Sequence, residues 1–279
     1  MEDTMGESMM ERIKPSESVM KILTERSLMM DLGSFYIPKK SKSKPRGDDA
    51  YFICKHHQTI GLADGVASWA KKGIDAGEYA RQLMDNCLTA LYAKNKKIVD
   101  PKMILEEAYL KTDIKGSSTA CIITLTNEYL HIVNVGDSGI MLFRDGDLIY
   151  KSPAQQHRFN SPYQLGKRSD DLSVAEELTI GVKAGDVMVA GTDGLFDNVF
   201  ASEIEDVIRV VCKKESCLEP EVLARSFAKL ALKNSRHKDG DSPYSRAAMI
   251  EGYLKNGGKP DDITVVVAHI VPPMEILGF

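Results

Sequence analysis

The sequence predicts an α+β fold in which antiparallel β-sheets are covered by helices. Short strand-like runs come in adjacent pairs that are separated by brief turns. Amphipathic helical segments are gathered between these blocks of strands, and do not alternate with single strands. The chain contains no repeat of about 20 to 50 residues, so neither a solenoid nor a propeller is expected.

The predicted strands are runs of β-branched and other apolar residues bounded by turn residues. The dipeptide Asp145-Gly146 between two of them is a strong hairpin signal. Three pairs are expected to form hairpins, and three single strands follow later in the chain. The pairs are residues 50–56 with 59–63, 118–127 with 129–136, and 139–144 with 147–152, and the later strands are residues 176–182, 186–192 and 262–271.

Helices are predicted where apolar residues recur at three- and four-residue spacing. Asp100-Pro101 is typical of a helix cap followed by proline at the first helical position. Ser202 and Glu205 have the spacing of a capping box. The predicted helices cover residues 75–94, a segment that starts at Pro101, residues 203–213 and residues 220–235.

Composition places the chain among globular proteins. It has 279 residues, of which 43% are hydrophobic, enough for the core of one large domain or two small ones. Lys and Arg total 36 against 40 Asp and Glu, so we expect no nucleic-acid-binding surface. No apolar run approaches the about 20 residues of a membrane span, so no membrane partner is expected.

The cysteines and the N-terminal sequence bear on the compartment. The five cysteines form neither a CxxC pair nor a dense disulfide framework, which predicts a reduced, intracellular protein. Residues 1–10 are acidic and resemble neither a secretion signal nor an organelle transit peptide. We expect the cytoplasm or the nucleus, with an organelle still open if a targeting segment was removed from the N-terminus.

Acidic residues stand at the ends of predicted strands or beside glycine, where each one alone is typical of a turn. Strands of one sheet bring their ends together, so these acids are expected to converge although they lie far apart in the sequence. Converging carboxylates repel one another unless a cation lies among them, and Mg²⁺ and Mn²⁺ prefer oxygen ligands. No cluster of histidines or cysteines offers alternative metal ligands, so a binuclear, oxygen-ligated metal site is predicted. The acids are Asp48, Asp49, Asp64, Asp137, Asp193, Asp197, Asp261 and Asp262.

The order and spacing of the acidic motifs resemble those of the metal-dependent protein phosphatases, the protein phosphatase 2C (PPM) family. The resemblance covers about residues 31–271, and residues 155–166 and 257–267 fit the branch that reads Gly-Lys-Pro-Asp-Asp-Ile-Thr near the C-terminus. It implies two antiparallel sheets packed as a sandwich with helices on both outer faces. It also implies a single phosphatase domain over residues 31–279, after an N-terminal arm of residues 1–30. The matching blocks are Asp48-Asp49-Ala50, Asp64-Gly65-Val66, Gly136-Asp137-Ser138-Gly139, Asp193-Gly194-Leu195-Phe196-Asp197-Asn198 and Asp261-Asp262-Ile263-Thr264.

The resemblance implies ligands for two metal ions. Asp64 would bridge the two ions, and the Gly65 carbonyl would also be a ligand. Asp193 and Asp261 would complete the protein ligands of the first ion. Asp48 would hold the second ion, directly or through water.

Further roles follow from the same resemblance. Asp49 would order metal-bound waters, so Asp49 and the bridging aspartate are the catalytic candidates. Asp137 and Asp197 resemble the positions that, together with Asp193, form a weaker third metal site in some members. Lys44 or Arg46 would contact the phosphate of the substrate.

The implied function is that of a Mn²⁺- or Mg²⁺-dependent protein serine/threonine phosphatase, a monomer that acts on phosphorylated proteins. Two cations about 3.5–4 Å apart lower the pKa of a bridging water towards about 7, and the resulting hydroxide attacks phosphorus in line. Two alternatives stay open. One is a catalytically weak pseudophosphatase that binds partners through the same fold, and the other is a metal-dependent hydrolase of small phosphate esters.

Departures from the family pattern motivate the pseudophosphatase alternative. Many members have Glu at the position of Asp48, and the best-known members have His at Val66. Ala67-Ser68 replaces two glycines, so the turn is expected to be reshaped. Lys44 replaces an Arg that grips the phosphate, and lysine lacks the bidentate fork of arginine.

Two further features of the sequence allow predictions about the surroundings of the site. The long polar stretch of residues 152–174 is either a flap that faces the substrate or a surface loop. In the second case His157 would form its hydrogen bonds with a neighbouring residue. Trp69 is expected to pack in the core behind the metal loop.

Overall fold

The computed structural model describes residues 27–40, 45–93, 99–213 and 219–273 of the chain. Strands and helices follow one another in the order that the sequence predicts, with additions at the N-terminus, in residues 152–174, and at residues 193–196 and 243–250. The strands are β1 (Met29–Ile37), β2 (Asp49–Cys54), β3 (Thr59–Asp64), β4 (Ala120–Thr126), β5 (Tyr129–Val135), β6 (Gly139–Arg144), β7 (Asp147–Lys151), β8 (Gln156–Arg158), β9 (Ser161–Pro162), β10 (Glu176–Gly181), β11 (Val187–Gly191) and β12 (Ile263–Val271). The helices are α1 (Ala76–Ala93), α2 (Pro101–Lys111), α3 (Asp193–Phe196), α4 (Ala201–Lys213), α5 (Pro220–Ser235) and α6 (Pro243–Ile250).

Ten of the described strands form two five-stranded antiparallel sheets, and β8 and β9 form a separate two-stranded sheet. Sheet A has the order β1-β12-β11-β6-β7, and sheet B has the order β10-β5-β4-β3-β2. All three predicted hairpins are present, as β2–β3, β4–β5 and β6–β7. Asp145 and Gly146 both have positive φ in the tight β6–β7 turn, as their sequence predicts.

Apolar side chains fill three separate layers, and this makes the architecture a four-layer αββα sandwich. Leu62 and Val266 lie between the two sheets. Leu83 lies between sheet B and the helix pair α1 and α2, whereas Phe227 lies between sheet A and α5. The α+β sandwich predicted from the sequence and from the family resemblance is therefore confirmed.

Helix α1 buries the face that its sequence periodicity predicts. Leu83, Met84, Cys87 and Leu91 are each no more than 2% exposed. Each fully buried large apolar side chain stabilises the fold by about 1.5–3 kcal/mol. Packing of this face on sheet B therefore decides that the segment is helical.

The two predicted helix starts have different outcomes. At α2, the Asp100 side chain accepts hydrogen bonds from the backbone N–H groups of Lys102 and Met103, so the predicted cap is confirmed. At α4, the predicted Ser202–Glu205 capping box is wrong, because the helix already begins at Ala201. Glu203 Oε2 accepts from the N–H of Phe200 at 2.8 Å and satisfies that end instead.

Strand β1 is the main element that the sequence reading missed. It pairs with β12 along its whole length, from Met29 opposite Val271 to Ile37 opposite Ile263. The predicted N-terminal arm covered residues 1–30, of which residues 1–26 lie outside the described part of the chain. Met29 and Met30 already belong to sheet A.

The described cysteines are unpaired thiols. Cys54 and Cys121 are buried core residues, as predicted, and Cys87 joins them. Cys212 is exposed, and Cys217 lies outside the described residues. None of the described helices is both long and apolar enough to cross a bilayer.

The register of the strands brings the acidic motifs to one edge of the sandwich. In sheet B, Asp49 at the start of β2 is paired with Asp64 at the end of β3. In sheet A, Gly191 at the end of β11 lies between Gly139 and Val265. The segments that follow β11 and precede β12 therefore leave sheet A at the same edge.

Candidate active site

Asp49 joins the two sheets at the centre of the site. It is 4% exposed, and its Oδ2 accepts hydrogen bonds from the hydroxyl groups of Thr192 at 2.8 Å and Thr264 at 2.7 Å. Its Oδ1 is buried and has no hydrogen-bond partner among the described residues. Burial raises the pKa of Asp49 well above its ordinary value, the neighbouring charges of Asp262 and Asp193 raise it further, and the two hydroxyl groups only partly offset this. A proton or a cation is needed to stabilise this carboxylate.

Asp64 stands beside Asp49 at the end of β3. Its backbone N–H donates to Thr119 Oγ1 at 3.0 Å, and its carbonyl accepts from the N–H of Thr119 at 2.9 Å. Burial raises the pKa of Asp64 well above its ordinary value, followed by the charges of Asp193 and then of other acids of the site. The acids therefore form one electrostatic cluster.

Gly65 allows three backbone segments to meet behind this cluster. A Cβ atom at this position would lie 2.7 Å from the Ala76 carbonyl and 2.7 Å from the carbonyl oxygen of Asp48. The Gly65 N–H donates to that Asp48 oxygen at 3.1 Å. Glycine is required here because the backbones approach each other closely. Its φ is not positive, so backbone conformation is not the reason.

Asp193, Asp197 and Asp261 surround a lysine. The Lys259 ammonium contacts Asp193 Oδ2, and it lies 2.9 Å from Asp197 Oδ2 and 3.5 Å from Asp261 Oδ2. The Asp193 Oδ1 is buried and has no hydrogen-bond partner within the described ranges. Burial lowers the pKa of Lys259, but the three carboxylates outweigh this and raise it well above its ordinary value.

Asp137 lies beside this group, at the mouth of a cleft. Its Oδ2 accepts from Gln156 Nε2 at 2.8 Å, whereas its Oδ1 is buried and lacks a partner in the described part of the chain. Burial raises the pKa of Asp137 to about 7, with the Asp193 charge adding to the shift. Burial likewise raises the pKa of Asp197 to about 6, although the Lys259 charge lowers it.

The donor chemistry of the cluster fits divalent cations. Asp49, Asp137 and Asp193 each present a buried oxygen that has no hydrogen-bond partner among the described residues, and all three groups are carboxylates, which Mg²⁺ and Mn²⁺ accept as ligands. Within the described ranges, however, no three aspartate, glutamate, histidine or cysteine side chains are arranged closely enough to hold a metal ion as they stand. Lys259 supplies a positive charge in their midst instead.

The comparisons with known proteins agree with the motifs and the fold. The protein phosphatase 2C family model matches residues 23–163. "Probable protein phosphatase 2C 55" of Arabidopsis thaliana is 45% identical over 262 residues, which are 93% of this chain and 56% of that protein. The X-ray structure of the photosystem II phosphatase PBCP is 34% identical, with a TM-score of 0.78 over 86% of this chain and 98% of that chain. This chain belongs to the protein phosphatase 2C family.

A more distant protein phosphatase structure shares the fold alone. It is the crystal structure of the catalytic domain of the serine threonine protein phosphatase PstP in complex with two manganese ions. It is 20% identical, with a TM-score of 0.62 over 88% of this chain and all of that chain. The chain thus spans the whole of this catalytic domain, but little more than half of the Arabidopsis relative.

Asp48 and Asp262 build the wall of the site that faces α1 and β1. Asp48 Oδ1 accepts from the N–H of Gly77, in the first turn of α1, at 3.2 Å. Asp262 accepts from the Tyr36 hydroxyl at 3.0 Å and from the N–H groups of Lys39 at 2.8 Å and Asp48 at 3.0 Å. Asp262 therefore fixes the loop that carries Asp48, a role that the sequence reading did not assign.

A second lysine that the sequence reading missed lies at the outer side of the cluster. Lys39 Nζ is 3.6 Å from Asp261 Oδ1, and about half of its side chain is exposed (47%). Of the two predicted phosphate contacts, Lys44 lies outside the described residues. Arg46 is placed by its carbonyl, which accepts from the Tyr36 hydroxyl at 2.7 Å.

The turn after Gly65 shows how this chain accommodates its departures from the protein phosphatase 2C pattern. Residues Ala67–Lys72 form a 3₁₀ helix, and neither Ala67 nor Ser68 has a positive φ. The predicted core position of Trp69 is wrong, because the indole is only half-buried. Its N–H donates to Ser117 Oγ at 2.6 Å, and the Lys72 ammonium lies 4.5 Å from the ring centroid. A polar partner for the indole N–H holds the ring at the surface of this turn.

In the polar stretch of residues 152–174, the predicted local partner of His157 is present, whereas the role of this stretch as a flap that faces the substrate stays a prediction. His157 Nε2 lies 2.9 Å from Asp170 Oδ2, and the ring packs on Tyr163 at a centroid distance of 4.4 Å, so the histidine is satisfied locally. The β8–β9 hairpin nevertheless lines a cleft of about 460 Å³ through Gln156 and Phe159. The same cleft reaches Asp137 and the Asp193–Asp197 segment.

The raised carboxyl pKa values predict that the metal-free protein loses stability as the pH rises. Asp137, at about 7, and Asp197, at about 6, hold protons more tightly when folded than at the ordinary value of 3.8. Their stabilising contribution is therefore complete below about pH 3.8 and is lost as the pH rises through 6 to 7, by about 1.4 kcal/mol per pKa unit. Thermal unfolding in EDTA should show a falling Tm between pH 5 and pH 8. Asp137→Asn should flatten this profile, and a wild-type profile that is already flat would contradict the prediction.

Proposed function

We propose that this chain is a metal-dependent protein phosphatase that hydrolyses phosphoserine and phosphothreonine in proteins. The observation that carries the proposal is the convergence of Asp49, Asp64, Asp137 and Asp193 at one edge of the sandwich, with three buried carboxylate oxygens that lack partners among the described residues. The names of the Arabidopsis relative and of the structural neighbours as phosphatases support it.

Two divalent ions, Mn²⁺ or Mg²⁺, are the proposed cofactors, in line with the two manganese ions bound by PstP. Asp64, the Gly65 carbonyl, Asp193 and Asp261 would hold the first ion, and Asp64 with Asp48 would hold the second. When bound, such ions activate water and stabilise the charge that develops on the phosphoryl oxygens. Because two threonine hydroxyl groups fix one oxygen of Asp49, its other oxygen is held ready to orient a water molecule.

The direct test is phosphate release from a phosphothreonine peptide with Mn²⁺, with Mg²⁺ and with EDTA. We expect turnover with one or both metals and none with EDTA. A folded protein that releases no phosphate with either metal would overturn the proposal.

Lys39 is the proposed contact for the phosphate of the substrate, because it is a half-exposed cation next to Asp261. Replacing Lys39 with methionine should raise the KM for the phosphopeptide about 3- to 10-fold, less than a fully desolvated charge would cost. The neighbouring Lys40→Met variant is the matched control and should leave KM unchanged. Equal KM values for all three proteins would remove Lys39 from this role.

Phe159 is expected to distinguish protein substrates from small phosphate esters. It lines the cleft beside Asp137 and packs against Tyr244 and Tyr253, at centroid distances of 5.3 and 5.2 Å. Phe159→Ala should raise the KM for a phosphopeptide about 10-fold, since residues that flank the phosphate would lose an apolar wall. The KM for p-nitrophenyl phosphate should stay the same. Equal effects on both substrates would favour a hydrolase of small esters.

A further inference from the structure

The ammonium group of Lys259 occupies the place of a cation inside the acidic cluster. It contacts Asp193 Oδ2 and lies 2.9 Å from Asp197 Oδ2. Only 17% of the lysine side chain is exposed, and the carboxylates of Asp193 and Asp197 are 13% and 26% exposed. Charge pairs that are shielded from water to this extent interact far more strongly than pairs on the surface.

The side chain of Asn198 fixes the backbone of Lys259. Asn198, which is 1% exposed, donates from Nδ2 to the Lys259 carbonyl at 2.9 Å and accepts from the Lys259 N–H at 2.9 Å. The same Nδ2 donates to the Gly194 carbonyl at 2.9 Å. Asn198 thus ties the lysine to the segment that carries the two acids, so the ammonium is held in register with them.

Two of the acids that Lys259 contacts, Asp193 and Asp197, are also among the three acids that a third metal ion would need. A divalent ion requires carboxylate oxygens at about 2.1 Å, whereas the ammonium already lies at hydrogen-bond distance from one oxygen of each. Two cations that share this pair would repel each other strongly at such a short separation. The ammonium and a third ion are therefore mutually exclusive on Asp193 and Asp197.

We propose that Lys259 is a built-in cation that takes the place of a third metal ion and limits this chain to two. The inference rests on the proposed function, because it assumes that two divalent ions bind to Asp48, Asp64 and Asp261 and to Asp193 through Oδ1, the oxygen that does not contact Lys259. In this arrangement Lys259 is the cationic partner of Asp197. Asp137 then binds no metal ion and accepts a hydrogen bond from Gln156 in the wall of the cleft.

The number of bound Mn²⁺ ions tests this inference independently of activity. Native mass spectrometry, with equilibrium dialysis against Mn²⁺ as a second measurement, should give two ions for the wild type and three for Lys259→Met. Lys259→Arg keeps the charge and should stay at two. Lys39→Met removes the other ammonium beside Asp261, so it is the matched control and should also stay at two. Asp197→Asn combined with Lys259→Met should return the count to two, which would locate the additional ion.

The melting temperature of the metal-free protein gives a second readout. Lys259→Met leaves Asp193, Asp197 and Asp261 without their common cation, so its Tm in EDTA should fall below that of the wild type and rise more on addition of Mn²⁺. If the variant does not fold, Lys259→Gln replaces it. A count for Lys259→Met that does not exceed that of the wild type overturns the inference. Zero bound ions in both proteins would in addition overturn the two-metal part of the proposed function, whereas two in both would leave it intact.

Discussion

Replacing Asp193 with asparagine is expected to lower metal-dependent phosphate release more than about 100-fold. Loss of a residue that only supports a metal ligand already costs about 10- to 100-fold in affinity or activity, and Asp193 is proposed as a direct ligand. Its Oδ1 is buried without a partner among the described residues, and its charge raises the pKa of Asp49, Asp64 and Asp137, so it lies at the electrostatic centre of the cluster. The rate with a phosphothreonine peptide and the Mn²⁺ concentration at half-maximal activity should be measured together.

A matched control for this substitution is Asp241→Asn. Asp241 is an acid outside the cluster, and its exposed carboxylate accepts from Arg246 Nε at 2.9 Å. This variant should keep the wild-type rate and the wild-type metal requirement. If Asp193→Asn retained most of the wild-type turnover at low Mn²⁺, Asp193 would not be a metal ligand.

The two sheets and their covering helices were predictable because strands and buried helix faces give characteristic spacings of apolar residues in the sequence. The β6–β7 hairpin follows from Asp145-Gly146, whose residues tolerate the positive φ that the turn requires. The convergence of acids was predictable for a related reason. Antiparallel pairing puts the start of one strand beside the end of the next, as Asp49 lies beside Asp64.

The features that the sequence did not predict depend on tertiary contacts, which produce no periodic spacing of apolar residues. Strand β1 forms because β12 offers a partner along its whole length, although the start of this strand lay within the predicted N-terminal arm. The predicted capping box failed because Glu203, and not Glu205, accepts from the N–H of Phe200, the residue before α4. The sequence assigned no role to Lys39 or Lys259, because only the folded chain shows which carboxylates they contact. A lysine within two residues of an acidic pair in an otherwise acidic site is the signal that was available for Lys259.

Gly194→Ala is expected to disrupt the site while it keeps every carboxylate. A Cβ atom at this position would lie 1.8 Å from the Asp262 carbonyl oxygen and 2.9 Å from its carbon, so the start of α3 and the start of β12 must move apart. This movement would separate Asp193 from Asp261, the two acids that are proposed to share the first metal ion. Forcing atoms into a packed interior costs about 1–3 kcal/mol, and a clash between two backbones should reach the upper end of this range.

The expected result for Gly194→Ala is a Tm lower by about 6–12 °C, together with a Mn²⁺ affinity at least about 10-fold weaker than that of the wild type. Gly181→Ala is the control, because a Cβ atom there meets only Tyr129 at an ordinary 3.8 Å, and both measurements should match the wild type. A Gly194→Ala protein that melts early but binds Mn²⁺ normally would mean that the spacing of Asp193 and Asp261 does not set the metal affinity. Because Asp193→Asn removes a charge without moving the backbone and Gly194→Ala moves the backbone without removing a charge, the two variants separate the charge of the cluster from its geometry.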